Sequence, residues 1–148
     1  MINREERVQW ALQKAQEYLD SAITNIQAGR KYPAAEDIFR SVESSLTAIL
    51  YNEGIQTIEY DDWSRKFTGR QALQALIREN LQRTGIIEEI EYQTYRNLVN
   101  DLHHEGYRPG KTFDDSELLH YAKFAEDILI KARHFQINNM DIKQFVFI

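Results

Sequence analysis

Apolar residues return with the period of an α-helix in five successive segments of this chain, and that repetition leaves few folds open. In the first segment, Val8, Ala11, Leu12, Ala15, Leu19, Ala22, Ile23 and Ile26 keep i, i+3, i+4, i+7 spacing, with Gln, Lys, Glu and Asp filling much of the rest. Gly29 suits the position that ends a helix. The second segment, "YPAAEDIFRSVESSLTAILYNEG", carries Ala35, Ile38, Phe39, Val42, Leu46, Ile49 and Leu50 on one face and stops at Gly54. Pro33 is expected at its first helical position, where a missing N–H costs nothing. The join between the two is so short that they should pack as an antiparallel hairpin.

"IQTIEYDDWSRKF" is aromatic and charged without a clear period and is expected to be a loop. Thr68 with Gln71 has the form of a capping box and predicts a third helix through Leu73, Leu76 and Ile77 to about Arg83. After Gly85 a fourth helix is expected from about Ile86 to Glu105, ended by "GYRPG". Asp114 with Glu117 opens a fifth through Leu118, Tyr121, Ala122, Ala125, Ile128, Leu129 and Ala132. No strand period, internal repeat or low-complexity linker interrupts residues 1–135. The fold expected is all-α, a single-domain antiparallel bundle of four to five helices in up-down order. The tail 136–148, "QINNMDIKQFVFI", departs from the pattern. Its apolar end, Phe145 to Ile148, is expected to fold back over the bundle or fray, or else to dock on a partner chain.

The 148 residues suit one domain with one core, and 43% hydrophobic content is enough to fold it. The absence of cysteine excludes a disulfide framework, a thiolate zinc site and a Cys nucleophile. The N-terminus "MINREERVQW" lacks the apolar core of a signal peptide, and no apolar run reaches the ~18 residues of a membrane span. A cytoplasmic protein is therefore expected. Net charge is −5, from 18 Lys plus Arg against 23 Asp plus Glu, which argues against a broad nucleic-acid coat but not against a local basic pocket.

Chemistry concentrates in "TYRNLVNDLHHEGY", residues 94–107. Residues turn by roughly 100° each in a helix. Ile87, Glu91, Leu98 and Leu102 then face the core, flanked by Tyr95 and Val99. Arg96, Asn100 and His103 stack on one stripe turned away from it, with Asn97 and His104 along its edge. Imidazole titrates near neutral pH and serves as a proton donor or acceptor; guanidinium offers a fixed charge and a planar fork of donors to a phosphoryl group. His103 and His104 point about 100° apart, which makes a poor start for a zinc site. His120 and His134 are expected on a helix surface. Arg65, Lys66, Arg70, Arg108 and Lys111 flank the loops on either side and suit guidance of a polyanion, or simple solvation. Trp10 is expected in the core, and Trp63 offers a face to a base.

Arg96, Asn97, five intervening residues and His103 resemble the Arg-x(4–6)-His signature of the HEPN domain family. The stretch "AQEYLDSAITNIQAGRKYPAAEDIFRSVESSLTAILYNEGI" is similar to that family's first two helices, and the likeness spans roughly residues 5 to 135. It implies a homodimer in which an Arg and a His from each chain line a shared cleft. It also implies a metal-independent endoribonuclease of toxin or defence type, needing no cofactor. His103 would be general base or acid and Arg96 the transition-state stabiliser. Asn97, Asn100, His104 and Tyr107 would contact the RNA or nucleotide. The alternative within the family is a non-catalytic nucleotide-binding or adaptor module partnered by a minimal nucleotidyltransferase. Tyr107 does not stand two residues after the histidine, where such a partner modifies some members. Asp101 and Glu105, close to the motif, would repel RNA.

Overall fold

The computed structural model describes residues 2–146, with side chains through residue 136. Five helices form the body: α1 (Arg4–Gln27), α2 (Lys31–Asn52), α3 (Gly69–Ile77), α4 (Glu89–Leu98) and α5 (Asp115–Val146). The fold is an all-α bundle, as its periodicity implies. Asn3 begins α1 by accepting the Glu6 amide at 2.8 Å, and Glu5 and Glu6 complement the positive end of the helix dipole. Gly29, at φ 75°, turns the chain into α2. Pro33 lies at the third helical position rather than the first, still within the turn whose amides have no helical acceptor.

Contacts between α1 and α2 run in opposite order. Arg7 lies over the Tyr51 ring, Ser41 Oγ donates to the Ala15 carbonyl at 2.8 Å, and Ser21 Oγ donates to Asp37 at 2.7 Å. Alanines at 11, 15, 22, 34 and 35 are buried in or beside this seam, and their small side chains let the backbones approach closely. With α5 laid against both helices, Phe39, Leu46, Ile49, Leu98, Leu118 and Ile128 meet in one core.

The expected loop contains a small antiparallel hairpin. β1 (Glu59–Asp61) pairs with β2 (Lys66–Thr68), placing Tyr60 opposite Phe67. Three-residue strands are too short to show a period, so the hairpin leaves no mark in the sequence pattern. Asp62 builds the tip: its carboxylate accepts from the Ser64 amide and hydroxyl and from the Arg65 amide. These donors hold its carboxyl below the usual range.

Thr68 precedes α3 without a side-chain cap, so the capping box expected with Gln71 does not form. At α4, by contrast, Glu91 accepts the Glu88 amide at 2.8 Å. Both α3 and α4 end in wider turns: Arg78–Gln82 and Val99–His104 are π-helical, and Glu105–Tyr107 closes the second as a 3₁₀ turn. The backbone of α5 continues into the expected tail as far as Val146; the side chains of Phe145 to Ile148 lie outside the described residues. Among the described residues, no helix is long and apolar enough to cross a membrane.

Candidate functional site

A stripe on α2 founds the site. Glu36, Phe39 and Glu43 stand at i, i+3 and i+7 and so share one face. Phe39 is buried at 1% exposure, and the two carboxylates rise on either side of it. His103 comes in from the π-turn after α4 and lays its ring flat on Phe39, with centroids 4.4 Å apart and planes 13° apart. Arg70, from the first turn of α3, places its guanidinium carbon 4.5 Å over the same phenyl ring.

The hydrogen bonds determine which ring nitrogen carries the proton. His103 Nδ1 is 3.0 Å from Glu36 Oε1, and Nε2 is 3.2 Å from Arg70 Nη1. Arginine only donates, so Nε2 is the acceptor and the proton sits on Nδ1, directed at Glu36. Arg70 is itself held by a two-pronged pair to Glu43, Nε to Oε2 at 3.2 Å and Nη2 to Oε1 at 3.3 Å. The hydroxyl of buried Tyr95 donates to Glu43 Oε2 at 2.7 Å. A continuous chain of bonds thus runs from Tyr95 through Glu43, Arg70 and His103 to Glu36. It opens on a cleft of about 350 Å³ whose mouth carries Trp10, Lys14, Tyr18 and Arg40. Trp10, expected in the core, is 52% exposed there, with Lys14 Nζ 4.3 Å over its ring. Neighbouring Ala11 and Leu12 take the buried face of α1 instead.

The stretch 94–107 divides between two places. His103, His104 and Tyr107 gather, with ring centroids 5.6 Å and 5.2 Å from His103. Arg96 is exposed, donates to the Tyr92 hydroxyl at 3.4 Å, and lines a different hollow with Tyr60, Phe67 and Gln71. Asn97 accepts from Gln93, and Asn100 donates to Asp101. The expected single stripe assumed α-helical winding throughout. The π-turn from Val99 onward closes i to i+5 bonds and advances less per residue, so His103 lags behind that stripe and turns toward α2. The Asp101 carboxylate is taken by Tyr121, whose hydroxyl donates to it at 2.6 Å. His120 and His134 lie exposed on α5, as expected. No cluster of three or more His, Asp or Glu suited to a metal stands among the described residues.

No protein-family model matches the chain, and no curated protein matches it significantly. From the sequence, Arg70 stands out only as one of several basic residues suited to guiding a polyanion, and Glu36 and Glu43 do not stand out at all. The available signal was two glutamates flanking a core phenylalanine on one helical face.

Burial, together with the Glu43 carboxylate, pushes the Tyr95 hydroxyl far above its ordinary range; burial and Asp101 do the same for Tyr121. Both groups keep their protons in the folded state at pH values where the unfolded chain loses them. Their contribution is therefore complete below about pH 10 and is lost as pH rises beyond it. Above about pH 10, Tyr95 should lower the unfolding free energy by up to roughly 1.4 kcal/mol per pH unit, and the less enclosed Tyr121 by less. Denaturant titrations between pH 9 and 11 should give a shallower decline for Tyr95→Phe than for the wild type. An unchanged slope would contradict the assignment.

Proposed function

We propose that this chain is a HEPN-like, metal-independent endoribonuclease acting as a homodimer, with His103 as its proton-transfer residue. The observation that carries the reading is the three-part arrangement at His103: a carboxylate on Nδ1, a guanidinium at Nε2, and both opening on a cleft. The carboxylate orients the imidazole and stabilises it once protonated. Within the chain, the guanidinium placed to meet a phosphate beside His103 is that of Arg70, in place of Arg96.

When a phosphodiester enters, a non-bridging oxygen draws the Arg70 Nη1 N–H to itself and leaves His103 Nε2 free, while Nε and Nη2 stay on Glu43. Nε2 then takes the proton of the ribose 2′-hydroxyl. The 2′-oxygen bonds to phosphorus, the bond from phosphorus to the 5′-oxygen breaks, and that oxygen takes a proton from the imidazolium Nε2–H, which returns His103 to its starting state. The products are a 2′,3′-cyclic phosphate and a 5′-hydroxyl. Arg70 matches the charge growing on the phosphoryl oxygens. Tyr95 and Glu43 hold Arg70 in place.

Incubating purified protein with a structured RNA in EDTA tests this. Wild type should cleave it, and His103→Ala should not. Arg70→Ala beside Arg96→Ala identifies the guanidinium that serves the step. Equal, negligible cleavage by wild type and His103→Ala would overturn the ribonuclease reading. The same cleft would then be a nucleotide-binding module for a nucleotidyltransferase-type partner, a role favoured by the exposed Trp10 ring with Lys14 above it.

A further inference from the structure

Beside the His103 cleft, and separated from it by the first turn of α3, lies a second hollow of about 390 Å³. Arg70 faces the first space and its neighbour Gln71 the second. Tyr60 and Phe67 from the hairpin and Tyr92 from α4 wall the hollow with rings, and Arg96 stands at its side. Arg96 has no carboxylate partner among the described residues. Next in the chain to Asp62, which lines the hollow, the hairpin tip presents Trp63 at 99% exposure. That indole is not on a loose loop: the Asp62 bonds and the Asp62 amide to Arg65 carbonyl bond at 3.1 Å brace the turn. Arg65 stacks on Phe67 at 4.4 Å, adding a second cation to the ring wall.

We infer that this hollow holds a base of single-stranded RNA flanking the scissile bond, with Trp63 stacking the next base and Arg96 meeting the phosphate between them. The inference rests on the ribonuclease reading and extends it to the substrate, which must be unpaired on that side. Flat rings interleaved with guanidinium groups suit bases joined by phosphates, because every base has a face to stack and every linkage a charge to meet. Of the nearby carboxylates, Glu59 pairs with Lys66 at 3.0 Å, and Asp62, which lines the hollow, has one oxygen bonded within its own turn and lies beside the Arg65 charge. Gln71, exposed at the rim with donor and acceptor on one amide, can bond a base edge.

The chain has two tryptophans, so Trp10→Phe leaves Trp63 as the only indole. In that background, a single-stranded 2′-O-methyl RNA hexamer in EDTA should quench Trp63 fluorescence saturably without being cleaved. Adding Gln71→Ala and Arg96→Ala should raise Kd roughly tenfold or more. The 2′-O-methyl strand has no 2′-hydroxyl to attack phosphorus, so binding is read apart from cleavage, and a failure of one is distinguished from a failure of the other. The absence of saturable quenching, a Kd indifferent to Gln71 and Arg96, or equal quenching by a duplex of the same sequence would each overturn the inference.

Discussion

Replacing Glu36 by glutamine should lower kcat for RNA cleavage by about 10²–10⁴-fold while leaving KM nearly unchanged. Glu36 acts through His103: its Oε1 accepts from Nδ1 at 3.0 Å and so keeps the Nε2 lone pair facing Arg70. Glutamine occupies the same volume but can turn its amide N–H toward Nδ1. That makes Nδ1 the acceptor and puts the proton on Nε2, the atom that must receive one. The loss of the carboxylate also removes the charge that stabilises the imidazolium formed as the 2′-oxygen attacks. Because Glu36 serves only through the ring, its effect should vanish once the ring is gone. His103→Ala and Glu36→Gln/His103→Ala should therefore be equally impaired, as for groups acting as a unit. Steady-state kinetics on the three variants measures this. Independent, multiplying losses, or full kcat in Glu36→Gln, would disprove the dyad. Folding should survive, since Glu36 is partly exposed and its other partner, Arg40, is 3.8 Å away at the surface.

The helices were legible because burial follows the centre of each apolar stripe, with Ile23, at the edge of the first, left exposed. Val8, Ala11, Leu12 and Ala15, and then Ile38, Phe39, Val42 and Leu46, are all nearly inaccessible, as their spacing requires. The hairpin was not legible, since Tyr60 and Phe67 are single half-buried residues within strands of three. At the site, His103 was identified but its surroundings were not. A π-turn leaves no mark in a pattern of apolar residues when Leu98, Val99 and Leu102 are buried under either winding. The difference appears only in where the polar residues go, and it separates His103 from Arg96. The glutamates, and the joining of Arg70 to them and to His103, were hidden for another reason: the association depends on packing α2 against α3 and the turn after α4, at separations of 27 to 67 residues.

Phe39 joins the core to the chemistry, so its substitutions should separate the two. Phe39→Ala removes a fully buried ring and should cost about 3–5 kcal/mol, a large share of the 5–15 kcal/mol that holds a typical domain. For a chain of this size that corresponds to a Tm lower by about 10 °C, readable by thermal denaturation. Phe39→Leu keeps most of the volume and should cost less than about 1.5 kcal/mol, within a few degrees of wild type. Leucine nevertheless offers no flat face to the His103 ring or to the Arg70 guanidinium, both of which now lie on the phenyl plane. Its protein should therefore fold and still lose cleavage, through imidazole and guanidinium orientations no longer fixed by stacking. A Phe39→Ala protein as stable as wild type would mean the ring is not core. A fully active Phe39→Leu protein would mean that the glutamates alone orient the pair.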